Sequence, residues 1–473
     1  MGANFQFGGG AEASSMTAIV MAATLIASVL LVILPRKYAP IPILLVTFLT
    51  PFGQQIFFGG FHFYAMRIFV LVGAARMLLV KLTKGEPLFS GGLNGLDRVF
   101  YCWAIVRGVA YLLDVRQGGA VANQVGAWMD VLGVYFLFRY LLQDQNDIFR
   151  VIKVFSLIMG FTACCMFYEH QTRINVFSYI SGHAIVPWIR SGSVRAQGVF
   201  GNSITAGSFG AVLLPLFYWL WKSGKARLLA VIGLVGAAVV SVTSMASTPF
   251  TGFLAAILAL CLWPIRKYMR WVRWGIVFTV LGLALVMKAP VWYIITKVNF
   301  VGGDSWDRAN LITQTVNHFS SWWLVGTTNN ASWGDFTWDQ CNQFAGEAIQ
   351  GGLATLILFI FLLKRAFGRV GVCRKQSEGD RQEWYYWCLG SALFANIIVF
   401  LGIDYFDNMR ALWMIFLVMI SVATLSADTL LAKEPSLASP VPAIGMPAAG
   451  NVSIATRTAR TEFPKNPAPV SYR

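Results

Sequence analysis

Apolar residues in this chain come in long uninterrupted blocks separated by short polar or basic stretches, with neither the period-2 alternation of a half-buried strand nor the narrow stripe of a water-facing helix. Thirteen blocks centre on residues 16–34, 40–58, 62–80, 98–114, 120–141, 148–167, 202–221, 228–247, 250–264, 275–290, 343–363, 385–403 and 409–426. Each approaches the ~20 residues that cross roughly 30 Å of hydrocarbon. The pattern predicts an all-α protein: a polytopic transmembrane helix bundle of 12 or 13 spans, forming one domain over residues 1–432. The blocks at 40–58 and 250–264 are the weakest. The first holds Pro51, Phe52 and Gly53 and reads as a broken or re-entrant segment, which needs protein to cover its loosened backbone groups.

Short basic runs punctuate the blocks on one side. Arg36 and Lys37, Lys81 and Lys84, Arg150 and Lys153, Lys222, Lys225 and Arg227, and Arg266, Lys267, Arg270 and Arg273 all fall there, with six more from Lys364 to Arg381. The positive-inside rule makes that side cytoplasmic. Thirteen spans put the N-terminus outside; twelve put both ends inside. Two long polar segments, about 168–201 and 291–342, then lie on the opposite, periplasmic face of a bacterial inner membrane. His62, His170, His183 and His318 map to that half. Residues 433–473, rich in Pro, Ala and Ser, read as a disordered cytoplasmic tail.

Composition narrows the classes further. Of 473 residues 57% are hydrophobic and 12% charged, against roughly 25% charged in soluble domains, so a soluble fold is excluded. The net charge of +16 sits in short runs at helix ends, not in a stripe interleaved with aromatics. Its partner is the anionic headgroup surface of the bilayer and not nucleic acid. Seven cysteines show no CxxC or metal spacing, and Cys164 and Cys165 adjoin within one block, so neither a disulfide framework nor a metal site is expected. The stretch before Met16 carries no Lys or Arg, so the first block is expected to be retained as a helix and not cleaved as a signal peptide.

The candidate chemistry lies in the two polar segments. Arg190 and Arg195 precede a Gly-rich turn and a helix start, in the stretch WIRSGSVRAQGVFGNSITAG. Guanidinium forks and helix-start N–H groups together make a cradle for pyrophosphate; arginines that meet lipid headgroups or cap loop carbonyls are the plainer alternative. In the second segment, Asp307 to Phe319 reads as an amphipathic helix with Ile312, Val316 and Phe319 on one face, Arg308 and His318 projecting. Trp306, Trp322, Trp323, Trp333 and Trp338 make either an interfacial belt or a platform for sugar rings. Asp335 and Asp339 are base or hydroxyl-binding candidates, or turn formers. No P-loop, GxGxxG motif or DxD pair is present, so no nucleotide chemistry, metal or other cofactor is expected. Within the blocks, Arg67, Arg107 and Asp130 are costly charges; Arg107 and Asp130 lie on neighbouring spans at compatible depth, as a structural pair or as lining of a polyprenyl-phosphate cavity.

These loops resemble those of the O-antigen ligase and Wzy polymerase superfamily, bacterial membrane glycosyltransferases acting on undecaprenyl-pyrophosphate-linked glycans. Arg195-Ala-Gln-Gly198-Val-Phe200-Gly-Asn202 is similar to the family's Arg-x-x-Gly-x-Phe-x-Asn segment. Asp307-Arg308 followed by Trp322-Trp323-Leu324-Val325-Gly326 is similar to its second-loop arginine and the wall leading to a glycine. Asn342-Gln343, Glu347, Gly351 and Gly352 match the segment that opens the next helix. The resemblance covers about residues 190–360. It implies polymerisation of lipid-linked repeat units, with Arg195 and Arg308 as catalytic arginines and Arg190, Asn202, Trp322, Trp323, Asn342 and Gln343 around the substrate; His318 or Asp339 is the candidate base in place of the family's histidine, and Arg107 the candidate substrate contact within the blocks. It also implies association with a chain-length regulator and export proteins. The family's ligases carry a His-Asn pair where this chain has Cys341-Asn342, and a thiol of ordinary pKa is a poor base for a sugar hydroxyl. That departure favours polymerase over ligase; the resemblance also has a Ser-Arg turn near the eighth and ninth spans, and here Ser247-Thr-Pro-Phe lacks the Arg. A secondary transporter or flippase is the alternative from another class, although the internal repeat such proteins often show is not visible here.

Overall fold

A computed structural model describes residues 15–190, 192–297, 300, 305–339, 341–428 and 430; the tail at 433–473 lies outside the described residues. The chain opens with α1 (Ala18–Ile33), α2 (Pro40–Leu49), a hairpin of β1 (Ile56–Phe58) and β2 (Phe61–Phe63), α3 (Ala65–Lys84) and α4 (Gly95–Asp114). Next come α5 (Ala120–Trp128) and α6 (Val134–Leu141), one rod joined by a π-helical turn at Met129–Gly133, and then α7 (Gln145–Thr172). The first polar segment holds α8 (Ser178–Ser181) and the hairpin β3 (Trp188–Arg190) with β4 (Ser193–Arg195). Beyond it lie α9 (Ser203–Ser223), α10 (Arg227–Thr243), α11 (Ser247–Cys261) and α12 (Met269–Val286). The second polar segment contributes α13 (Ser305–Asn317) and α14 (Phe319–Trp322), and α15 (Gln343–Gln376), α16 (Arg381–Phe400) and α17 (Asp407–Ala423) complete the bundle.

Among the described residues the protein is all-α apart from two small hairpins, and every one of the thirteen apolar blocks contains a helix. Five of the helical rods, Ala120–Leu141, Gln145–Thr172, Ser203–Ser223, Trp263–Val286 and Gln343–Gln376, are long and apolar enough to cross a membrane. The suspect block at 40–58 is a ten-residue helix followed by the β1–β2 hairpin, so its second half leaves the helix at Thr50.

Side-chain and backbone bonds sort the turns into two ends. At one end Ser15 N donates to Gln55 O, Phe52 N to Val199 O, Ala196 N to Thr243 O and Tyr405 N to the Gln343 side chain. At the other, Arg76 donates to Leu34 O, Arg139 to Gly92 O, Arg369 to Thr424 O and Arg266 to Glu383. Both polar segments belong to the first end, and the basic turns belong to the second.

Helix starts are set by local chemistry. Asn94 and Asp97 form a reciprocal capping box on α4, while Asp144, Asn202, Asn342 and Asp380 cap α7, α9, α15 and α16 through their side-chain oxygens. α9 is the central helix, with most of its residues buried, whereas α12 buries none. Near the basic end the fully buried Arg139 donates to Asp97, whose carboxylate also accepts from Tyr135 and Ser421, tying α4, α6 and α17. A charge buried that deeply is retained only with partners of this kind.

Candidate functional site

The Gly-rich turn after Arg195 is shaped by a residue of α7 outside the motif. Glu169 is fully buried in the last turn of α7. Its carboxylate accepts from Gly198 N at 2.8 Å, Gln197 N at 3.2 Å and Asn175 Nδ2 at 3.0 Å, and Asn175 Nδ2 also reaches Gly198 O at 2.8 Å. The adjacent His170 Nδ1 meets Val194 O at 2.7 Å; a carbonyl only accepts, so that nitrogen carries the proton. Arg190 and Arg195 therefore stand on a short hairpin, Arg195 opposite Trp188, whose base is clamped to α7. Asn202 is the cap of α9: its Oδ1 accepts from Thr205 N at 2.9 Å, so the motif's asparagine starts the helix.

The second segment folds onto the start of α15. Leu311 of α13 packs on Ala345 and Ile349, with Trp333 and Cys341 against them. Cys341, Arg308, Asp307 and Asp339 share one neighbourhood: burial and the Asp339 charge push the Cys341 thiol up to about 12, with Arg308 pulling the other way. Such a thiol holds its proton at neutral pH and is no base. His318 Nδ1 donates to Gln314 O at 3.0 Å, which leaves Nε2 as the acceptor nitrogen, and its ring stacks on Trp333 with centroids 4.9 Å apart. The five tryptophans divide. Trp322 is buried, its Nε1 donating to Thr315 O, and Trp333 is stacked on His318, while Trp306, Trp323 and Trp338 are exposed.

The glycines of this region have a mechanical role. α15 is broken at Gly352, at φ 74° and ψ −176°, a conformation reached almost only by glycine. The strand of chain at 323–327 docks into the break: Leu353 N donates to Trp323 O at 2.9 Å and Thr327 N to Ile349 O at 2.7 Å. A Cβ on Gly352 would stand 2.7 Å from Leu324 O, and one on Gly326 (φ 88°) 2.4 Å from Ile349 O. The Trp-Trp-Leu-Val-Gly wall and the Gly351-Gly352 pair are thus two halves of one backbone junction that satisfies the groups the broken helix releases.

Asn342 and Gln343 are turned inward. Asn342 Oδ1 caps α15 through Phe344 N and Ala345 N, and its Nδ2 donates to Leu401 O. Gln343 accepts from Tyr405 N and donates to Glu347, whose other oxygen takes the Trp103 indole N–H at 3.0 Å. Arg107 joins this cluster: its Nε lies 3.6 Å from Glu347 and its Nη2 bonds Gln350. The expected neighbourhood of Arg107 and Asp130 resolves differently. Both line one cavity, but Asp130 gives its two oxygens to Arg67 Nε and Nη2 at 2.7 Å each, and Arg107 pairs with α15. Asp130 lies in the π-helical turn at Met129–Gly133 and is paired with α3.

Sequence reading passes over Glu169, Asn175, Trp103 and the 401–410 stretch, and takes Glu347 only as part of a motif. Asp404 carries a carboxyl raised to about 6 by burial, against the pull of Arg410 and Arg107. An acidic residue inside an otherwise apolar helix is the one signal for Glu169 and Glu347. A second cavity of about 350 Å3, between the 50–55 turn and the 199–201 turn, brings Tyr64, Phe52, Phe200 and Gly201 beside Asp407 and Asn408. No protein-family model and no curated protein matches this chain.

Proposed function

We propose that this chain is a membrane glycosyltransferase that polymerises undecaprenyl-pyrophosphate-linked glycan repeat units at the periplasmic face of a bacterial inner membrane. The observation that carries the reading is the grouping of arginine-bearing, aromatic-rich segments at the end of the bundle opposite the basic turns. With the basic end cytoplasmic by charge placement, Arg190, Arg195 and Arg308 fall at the outer lipid–water boundary. Motif resemblance in both segments supplies the reaction class.

In this reading an acceptor hydroxyl oxygen attacks the anomeric carbon of the donor glycan. The bond from that carbon to the pyrophosphate oxygen breaks, and its electron pair leaves with undecaprenyl pyrophosphate. Arg195 and Arg308, with Arg190, neutralise the charge that develops there, which is electrostatic stabilisation placed where the transition state needs it. The hydroxyl proton passes to His318 Nε2 or to Asp339. The exposed rings of Trp306, Trp323 and Trp338 hold the sugars. Cys341 keeps its proton in this scheme, which weighs against a ligase-type base at that position. A chain-length regulator and an export channel are the protein partners of such an enzyme.

The test is replacement of Arg195 or Arg308 by Ala, with the variant at wild-type level in the membrane. Loss of long polymer with single units still exported supports the reading. Unchanged chain length refutes it, lipid-linked polymer that is never transferred marks a ligase, and solute flux in liposomes without glycan transfer marks a transporter.

A further inference from the structure

A cavity of about 230 Å3 opens among α3, α4, α5, α15 and α17, and no residue of the Arg195 hairpin lines it. Three guanidinium groups, Arg67, Arg107 and Arg410, line it, with the indoles of Trp103 and Trp128 and the amides of Asn123, Gln124 and Gln350. The arginines are not equivalent. Arg67 commits its fork to Asp130 and its remaining terminal nitrogen to His62 O. Arg107 is engaged by Glu347 and Gln350. Arg410 donates Nε to Tyr405 O at 3.1 Å and, among the described residues, makes no ion pair within 4.0 Å. Asp404 and Asp407 feel its charge only from beyond that distance.

The cavity is built, not left over. Gly108 faces Trp128 so closely that a Cβ there would stand 2.5 Å from the indole, which lies against α4 and donates Nε1 to Ala104 O. Gly126 makes the same room for Arg67, at 2.9 Å. The π-helical turn after Trp128 aims Asp130 into the cavity; such single-turn π segments occur often at functional sites. The volume is below the roughly 300–1,000 Å3 of sites for drug-sized ligands, which suits one sugar ring and not a chain of them. Indole faces pack on the C–H face of a pyranose, side-chain amides exchange hydrogen bonds with hydroxyls, and a guanidinium takes a carboxylate through its planar fork.

We infer that this cavity is a binding subsite for one carboxylate-bearing sugar, of the uronic acid class, with Arg410 holding the carboxylate and the aromatic and amide side chains holding the ring. The choice of a sugar rests on the glycan-transfer reading; the choice of an acid rests on Arg410. The subsite makes the enzyme selective for acidic repeat units.

The test uses the full chain in lipid nanodiscs and three probes: methyl glucuronide, methyl glucoside and inorganic phosphate, with binding read by saturation-transfer NMR and tryptophan fluorescence. The glucuronide is expected to bind at least tenfold more tightly than the glucoside, and phosphate not to displace it. Arg410→Gln should erase the preference while leaving glucoside binding and the melting temperature unchanged. If Arg410→Gln does not fold, Arg410→Lys, which keeps the charge and loses the fork, should weaken glucuronide binding at least threefold. Equal binding of the two glycosides, displacement by phosphate, a preference that survives Arg410→Gln, or glucuronide binding unweakened in Arg410→Lys overturns the inference. Glucuronide preference intact in a protein whose Arg195→Ala variant still polymerises sinks the transfer reading alone.

Discussion

Alanine at Gly352 probes the junction between the second polar segment and α15 directly. The glycine-only backbone there costs a non-glycine residue ~1–3 kcal/mol. The new Cβ, 2.7 Å from Leu324 O, meets backbone and not a yielding side-chain tip, so the 323–327 strand must move, at ~1–3 kcal/mol for an overpacked contact. Movement strains the bonds Leu353 N–Trp323 O and Thr327 N–Ile349 O, each worth about 1 kcal/mol. Together these come to about 2–6 kcal/mol if both bonds survive and about 4–8 kcal/mol if both are lost. Gly368 of the same helix is the control, since a Cβ there meets nothing and Ala in an open helical position gains about 0.5–1 kcal/mol. Thermal unfolding in detergent, read by tryptophan fluorescence, should rank Gly368→Ala above wild type and Gly352→Ala well below it. Amide exchange at 323–327 and 349–353 should accelerate in Gly352→Ala alone. Because Gly326→Ala breaks the same junction from the other side, the double variant should lose less than the sum of the two. Equal stability of Gly352→Ala and Gly368→Ala, or strict additivity of the pair, refutes the reasoning.

Replacing Glu169 by Ala strands three buried donors, so about 2–3 kcal/mol of local stability is lost, and amide exchange at 196–200 should quicken on the order of 100-fold; unchanged exchange would show that the turn holds itself. Asp404 gives a pH effect with a definite sign. Its folded pKa is about 6 against an ordinary value of 3.8, so between about pH 4 and pH 6 the unfolded chain has released the proton that the native protein keeps, and native stability falls as pH rises through that window. Asp404→Asn should match wild type near pH 4 and exceed it in melting temperature above about pH 6; a constant difference across the range would contradict this assignment. Cys341, with its thiol at about 12, is thiolate only at about one part in 10,000 at pH 8. Its alkylation by iodoacetamide should lag a free cysteine by at least about 100-fold and rise about tenfold per pH unit up to roughly pH 10. Labelling as fast as a free thiol would mean that the site is open.

Much of the fold was legible because hydrophobic blocks of spanning length leave little choice of element. The amphipathic helix expected from Asp307 to Phe319 is present as α13, which ends at Asn317, where His318 leaves the helix and Phe319 begins the next. The block at 40–58 carries its break openly in Pro51-Phe52-Gly53, and the helix does stop at Leu49. Helix capping by Asn202 and Asn342 is written in the sequence too, since each stands directly before an apolar run, yet the resemblance assigns both to the substrate. A side chain suited to hydrogen bonding a ligand is equally suited to four orphan N–H groups, and the nearer donors win.

The pairings between helices were not legible, and Asp130 shows why. Periodicity tells which face of a helix a residue occupies only while the helix keeps 3.6 residues per turn, about 100° for each residue. The π-helical turn at Met129–Gly133 inserts one residue into that count and rotates the rod beyond it by roughly that angle. Asp130, inside that turn, meets Arg67 of α3, and Arg107 pairs with Glu347, far along the chain. Nothing in MDVLG announces the bulge. Arg410 is hidden for the complementary reason: a basic residue in the first turn of a helix reads as an ordinary charge at a membrane boundary. It gains meaning only when four other helices bring two more arginines, three amides and two indoles to the same 230 Å3. In a bundle of this kind, depth and facing can be read one helix at a time, and selectivity for a ligand arises where several helices disagree with that local count.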